Sequence, residues 1–363
     1  MKVNEKSKFG MRELIAIIYI VIGSKFTDMT PTMLFQTGEN ASWMIPIISI
    51  LIMTIPLWFL YQLLKNYRDK NLVEIARRVV GSKLGFFIGV VLFVTALVST
   101  IIDTRSYTEI IGTLYYPSSP IIALYFIYLV GAYLVAIKGI SGISRVSWSI
   151  FPYVLFSVLL LIFFTFKEFV FFRTLPILGP GPEPILKESI IKVSIFAELI
   201  FFGMLYPFIK NEQSYKKGTI FGAGLSVICI SCFIFLYSAL FDFPTVQRVS
   251  FPFHEMARYA SVGDYITNTE TFYLTFWLLA SIVKYSIYLY ITILIFSATF
   301  KIKNQKKLFP LFSLFIFFVG LLPKNTPIIM HYREMLLHTA SLLIPIIPVL
   351  LWIIAKWRGE FKR

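Results

Sequence analysis

The stretch Gly23-Ser24-Lys25-Phe26-Thr27-Asp28-Met29-Thr30-Pro31 decides the fold, because it sets a lysine, an aspartate, two threonines and a proline inside an apolar run. A continuous lipid-facing helix does not tolerate that density of polar groups. Irregular backbone at membrane depth persists only where protein buries it or where it lines a cavity. Gly23 lies eleven residues beyond Arg12, or about 16 Å of helical rise. That is close to the middle of a hydrocarbon core about 30 Å thick. The stretch therefore reads as a helix interrupted near the midplane, in preference to a segment lying along the outer membrane surface.

The surrounding composition supports a membrane setting. Hydrophobic residues make up 57% of the 363 and charged residues only 15%, against the roughly 25% of soluble domains; mean hydropathy is +0.77. Apolar runs at 12–35, 42–64, 84–110, 118–138, 145–166, 190–209, 217–241, 271–300, 308–322 and 336–356 predict an all-α integral membrane protein with about ten spans. The run at 271–300 exceeds the bilayer thickness and is expected to tilt or to project from it. Residues 1–363 then form one transmembrane domain in direct contact with the lipid bilayer. Its expected halves are 12–166 and 190–356.

Orientation follows from the basic residues in alternate connectors. With the N terminus inside, 23 Lys and Arg fall on the cytoplasmic side and 9 on the other, while Lys25 and Lys284 stay within spans. That asymmetry predicts ten spans with both termini cytoplasmic. It also explains the net charge of +15 without nucleic acid, because the basic residues sit between apolar runs and not on one folded face. No cleavable signal peptide is expected, since the first apolar run leads straight into the second.

A second interruption is expected in the sixth span, where Glu198 is the lone carboxylate of an apolar run and Gly203 and Pro207 follow as backbone weak points. Paired interruptions in corresponding spans of two halves point to a midplane binding site. The candidate ligand-binding residues are Gly23, Ser24, Lys25, Thr27 and Asp28 from the first span, with Phe196, Ala197, Glu198 and Phe202 from the sixth. Half-helix N-termini suit a carboxylate, while free carbonyls with Glu198 or Asp28 suit an ammonium, a polarity that fits a zwitterionic amino acid. Glu198 is equally compatible with an internal ion pair to Lys25. Lys284 lies about fourteen residues from either end of its span, too deep for easy snorkelling; with Glu198 it is the candidate for ion or proton coupling. Asp103 and Arg105, late in the third span, form either an outer gate or a plain interfacial pair.

Other features point away from chemistry. Cys229 and Cys232 have C-x-x-C spacing but lie mid-span, where they read as small buried hydrophobes. His254, His331 and His338 lack metal-site spacing and read as surface residues. Gly179-Pro180-Gly181-Pro182 is a proline turn, not a phosphate cradle. The segment 175–184 is expected as an extended turn and 250–263 as a short interfacial helix. No metal, no cofactor and no enzymatic activity are expected.

Ordered motifs carry a family resemblance over nearly the full length. Ile22-Gly23 with Pro31, then Gly38, Ala41 and Trp43, is similar to a glycine-containing broken first helix and its run into helix two. Phe196-Ala197-Glu198 with Pro207 is similar to a sixth-helix pattern of aromatic, small residue and acid. Phe243-Pro244-Thr245, through Phe251-Pro252 to Asn268-Thr269-Glu270, resembles a connector before helix eight. Together these resemble the B subunit of bacterial spore germinant receptors (the spore germination permease family), within the amino acid–polyamine–organocation superfamily. The resemblance implies a five-plus-five inverted repeat (LeuT-like) with broken helices 1 and 6, in the inner membrane of a spore. It implies partnership with a receptor A subunit and a lipoprotein C subunit, and recognition of a small germinant such as an amino acid. The chain departs from the pattern at Lys25 and Asp28, where members usually carry small or apolar residues; these charges either occupy part of the pocket or select another germinant. The alternative expectation is a proton-coupled amino acid transporter on the same scaffold.

Overall fold

The computed structural model describes residues 8–260 and 269–361. Lys2, Lys6, Lys362 and Arg363 of the charge count, 261–263 of the expected interfacial helix, and Asn268 lie outside the described residues. The first span begins as α1 (Met11–Val21), tightens into a 3-10 turn at Gly23–Thr27 and resumes as α2 (Thr30–Gly38) after a 58° bend. Pro31 sits in the first turn of α2, where its missing N–H costs no helical bond. Then come α3 (Met44–Asn66), the short amphipathic α4 (Leu72–Val80), α5 (Ser82–Ile110), α6 (Ile121–Ala136) and α7 (Gly139–Thr165). A reciprocal capping box between Asn71 and Glu74, both bonds 3.0 Å, fixes the start of α4.

The sixth span comprises α8 (Pro182–Ile191), a 3-10 turn at Val193–Phe196, the single α-turn α9 (Glu198–Phe201) and a further 3-10 stretch, Phe202–Phe208. It bends by 50° between Ile191 and Val193. The bend thus precedes Glu198, while Gly203 and Pro207 lie in the 3-10 stretch that follows it, so irregular backbone stands on both sides of Glu198; the span also starts at 182, not 190. The switch in hydrogen bonding shows why: Lys192 N–H donates to Glu188 O at 2.8 Å, four residues back, whereas Ile195 N–H donates to Lys192 O at 3.0 Å, three back. Proline at the start of α8 allows the helix to begin where the sequence suggested only a turn. That turn occupies 176–181, with Gly179 and Gly181 at φ 48° and 101°. A Cβ on Gly179 would stand 2.9 Å from Gly38 O.

The chain continues through α10 (Glu212–Phe241), α11 (Phe243–Val246), α12 (Pro252–Tyr259), α13 (Thr269–Phe300), α14 (Leu308–Gly320), α15 (Thr326–Leu343) and α16 (Ile346–Trp357). Among the described residues, six helices are long and apolar enough to cross a membrane, or eight if each bent pair counts as one span. α6 has 16 residues and α14 has 13, below the length of a full span. The last span starts at Thr326 and not at 336, because Asn325 caps it by accepting from Ile328 N–H at 3.1 Å.

α13 is the central element. In its most apolar window 83% of residues are inside the protein, against 22–44% for the other long spans, most of whose residues are at least partly exposed on the outside of the bundle. α1 packs closely on α10 through Gly218 and Gly222, one turn apart. A Cβ on either would meet Leu14 Cδ2 at 2.8 Å or Ile18 Cβ at 2.9 Å, the close approach that small residues permit between membrane helices. Phe9 pairs with the end of the sixth span: its N–H donates to Phe208 O and its carbonyl accepts from Lys210 N–H, both 3.0 Å. The two broken spans are therefore tied together at this end.

Candidate functional site

Both breaks present charged side chains to the interior. Lys25 belongs to the 3-10 turn of the first span, and its Nζ donates to Glu198 Oε1 at 2.7 Å, Glu198 Oε2 at 2.9 Å and Ile195 O at 2.5 Å. Tyr288 of α13 donates to Glu198 Oε1 at 2.5 Å. The expected internal pair between Lys25 and Glu198 is thus present, and one backbone carbonyl at the second break completes it.

Asp28 anchors a second cluster. Its Oδ1 accepts from the N–H of Thr30, the first residue of α2, at 2.7 Å, and its Oδ2 accepts from Arg333 Nη2 at 2.6 Å. Lys284 Nζ stands 3.9 Å from the same Oδ2 and donates to Tyr107 OH at 3.1 Å. It lies 4.8 Å from the centre of the Tyr107 ring, a cation–π contact. Arg333 Nη1 is 3.3 Å from Asp103 Oδ1. The Arg333 Nε and Nη1 groups are buried without a hydrogen-bond partner among the described residues. Lys25, Lys284 and Arg333 balance Asp28, Asp103 and Glu198, and all six are at most 9% exposed. Charges removed from water this completely persist only when paired.

A cavity of about 30 Å³ lies between the clusters, lined among others by Lys25, Ser99, Asp103, Ala197, Glu198 and Arg333. That admits water, which needs about 10–15 Å³, but not an amino acid without movement of the surrounding groups. Ser24 and Thr27 face a separate cavity of similar size, beside Tyr19 and Trp277. Thr27 Oγ1 donates to Ser24 O at 2.7 Å and accepts from Trp277 Nε1 at 2.9 Å. Phe202 lines a smaller space with Val21, Glu198 and Tyr288. Gly23 packs on the Tyr19 ring, and Phe196 is fully buried; neither lines these cavities.

Asp103 is buried beside Arg333 and is not interfacial. Arg105, also buried, pairs with Glu109 and reaches Pro323 O at 3.3 Å. His254 is not a surface residue: it is 1% exposed, bonded through Nδ1 to Tyr115 OH at 2.8 Å and set edge-on against Trp277. Cys232 is exposed and Cys229 half-buried, because they lie on faces of α10 turned partly outward. Among the described residues no group of three His, Cys, Asp or Glu could hold a metal.

Sequence reading missed Arg333, which it assigned to an outer connector, and the aromatic partners Tyr107, Trp277 and Tyr288. One signal was available for the arginine. Ile329, Arg333 and Ala340, all buried, recur on one face of a helical pattern.

Comparison with known proteins gives this arrangement a context. A family model described as "Spore germination protein" matches residues 11–328. Among curated Bacillus subtilis (strain 168) proteins, Spore germination protein YndE is 24% identical over 96% of each chain. Spore germination protein KB is 23% identical over 98% of this chain and 96% of its own, and Spore germination protein B2 is 24% identical over 100% and 99%. Among solved structures, the nucleobase-cation-symport-1 family transporter Mhp1, closed with bromovinylhydantoin bound, superposes with a TM-score of 0.65. It shares 12% identity over 93% of this chain and 77% of that one. MhsT in complex with L-phenylalanine gives 0.64 at 13% identity, over 92% and 87%. The fold is accordingly the LeuT-like transporter fold with broken first and sixth spans, in a multi-pass, non-enzymatic membrane protein. With its matched region running from the first span through both breaks to the start of α15, the chain belongs to the spore germination protein family.

Proposed function

We propose that the chain is the membrane-embedded B-type subunit of a spore germinant receptor, binding a small germinant, an amino acid, between its two broken spans. The observation that carries this reading is the charge-balanced centre: Lys25 with Glu198, and Arg333 with Asp28 and Asp103, around one cavity. A zwitterion adds no net charge there and offers each end a partner, whereas a ligand with net charge would leave one buried and uncompensated. The likeness to MhsT, whose structure holds L-phenylalanine, supports the ligand class.

The bound ligand acts by favouring one of two arrangements of the breaks, which requires different affinity for the two. The chain works in the spore inner membrane with a receptor A subunit and a lipoprotein C subunit. Both termini are cytoplasmic, as the basic-residue asymmetry argues. Isothermal titration of the purified protein with a panel of L-amino acids tests the ligand. Binding that is lost in Glu198→Gln and changed in Lys25→Met is the expected result, and binding unchanged in both variants removes the proposed pocket. Accumulation of a labelled amino acid against its gradient in proteoliposomes would replace the receptor by a transporter.

A further inference from the structure

We propose that Ile195 O, Glu198 and Tyr288 form a primary-ammonium subsite that the chain fills with its own Lys25, so that a ligand's ammonium enters by displacing that side chain. The inference rests on the preceding reading for the presence of a ligand, but not for the existence of the subsite.

An alkylammonium has three N–H donors and no acceptor. Here three oxygens surround one nitrogen: Ile195 O at 2.5 Å and the two Glu198 oxygens at 2.7 and 2.9 Å. All three oxygens are within hydrogen-bond distance, two of them on the one carboxylate. The carboxylate is held in place from the other side by the Tyr288 hydroxyl at 2.5 Å. Ile195 lies in the 3-10 turn that follows the break at Lys192. The acceptors therefore belong to the second broken span and the cation to the first. Lys25 does from within the chain what an ammonium on a small molecule would do, and it closes the site in doing so.

Two further observations favour exchange over a permanent strut. Lys25 and Glu198 both line the central cavity, so the bond is reached from that space and is not sealed behind apolar packing. The same cavity is lined by Asp103, whose carboxylate faces Arg333 Nη1 at 3.3 Å. A displaced Lys25 therefore has an anionic neighbour and need not lie unpaired in the interior. A primary ammonium reproduces all three bonds; a quaternary ammonium offers none, and an alcohol offers one donor without charge.

Chemical rescue tests the subsite. Lys25→Ala retains Cβ, so the missing part of the side chain is n-propylammonium, and the readout is the thermal midpoint of the purified full chain in detergent. The expected result is a midpoint lowered in Lys25→Ala and raised again, saturably, by n-propylammonium chloride but not by 1-propanol or tetramethylammonium chloride. The double variant Lys25→Ala/Glu198→Gln, which lacks both charges, is expected not to respond. No rise in Lys25→Ala, or an equal rise in the double variant, overturns the proposal. Where Lys25→Ala cannot be recovered alone, recovery in the presence of n-propylammonium supports the subsite. Failure with and without the amine, while the double variant is recovered, overturns it. Rescue without amino acid binding to the native chain would retain the subsite and remove the receptor reading; binding without rescue would do the reverse.

Discussion

Arg333 and Asp28 lie at opposite ends of the chain, yet Arg333 Nη2 donates to Asp28 Oδ2 at 2.6 Å, with the Asp28 side chain fully buried and that of Arg333 4% exposed. The same nitrogen reaches Thr30 Oγ1 at 3.1 Å, so one guanidinium joins the break of the first span to α15. Its Nη1 adds Asp103 of α5. Three spans are thus fastened at one point inside a low-dielectric region, where removing Arg333 leaves the buried carboxylates Asp28, Asp103 and Glu198 with only Lys25 and Lys284 to balance them.

Arg333→Met is therefore expected to lower stability by about 3–5 kcal/mol, the usual cost of stranding a buried charge. Adding Asp28→Asn is expected to recover part of that loss, because the stranded carboxylate is gone. Thermal midpoints of the four proteins in the double-mutant cycle give the coupling. Additive losses in the two single variants would show that the pair is not a unit.

Trp277→Phe removes the indole N–H that donates to Thr27 Oγ1 at 2.9 Å while leaving the ring's stacking on Tyr107 largely intact. A loss of about 1 kcal/mol is expected. The effect should be concentrated in the 3-10 turn Gly23–Thr27, read as faster amide hydrogen exchange in that segment than elsewhere. Uniform acceleration over all spans would contradict a local role.

Gly222→Leu is expected to disrupt the α1–α10 contact, since even a Cβ there meets Ile18 Cβ at 2.9 Å. Overpacking of this kind costs about 1–3 kcal/mol. Gly224→Leu, where a Cβ meets nothing within 4 Å, is the control and should be near neutral. Equal loss in both variants would show that the close approach at Gly222 is not the cause, since leucine is the better helix former at either site.

His254 supplies a pH dependence. Burial, with the charge of Arg258 nearby, pushes its pKa from the ordinary 6.5 down to about 3. The unfolded chain therefore takes up a proton below pH 6.5 that the folded chain refuses until about pH 3. The stabilisation held by neutral His254 is complete above 6.5 and is lost progressively as pH falls through that window. Its neighbours are Tyr115 at Nδ1, Phe253 and Trp277 against the ring, and Arg258 one turn along the same helix. The native chain should lose thermal stability between pH 7 and 5, and His254→Gln should lose less over the same interval. Parallel curves would exclude His254 as the source.

Much of this was legible in residue order. Lys25, Asp28 and Glu198 stood out because each is an ionisable group where neighbouring residues promise a lipid or protein interior. The first break was located to within a residue or two by Gly23 and Pro31. The second was expected around Glu198, and irregular backbone flanks that residue on both sides; its bend, where four-residue bonding first gives way to three-residue bonding, lies at Lys192–Ile195. No glycine or proline marks that bend; contacts with α15 do, through Ser194 Oγ donating to Leu337 O at 2.7 Å and Ser194 N–H donating to Ser341 Oγ at 3.0 Å.

By itself the sequence determined the membrane setting, the order of the apolar spans and the two places where polar groups interrupt them. Those depend on local composition, which a bilayer reads span by span. Only the tertiary structure decided which charges meet. Lys25 finds Glu198 and Ile195 O, Asp28 finds Arg333, and Lys284 finds Tyr107 because separate helices converge there, and periodicity within one helix carries no information about its neighbours' register. His254 and Arg333 went inside for the same reason: burial of a polar residue is settled by whether a partner is waiting, not by the residue's own hydropathy.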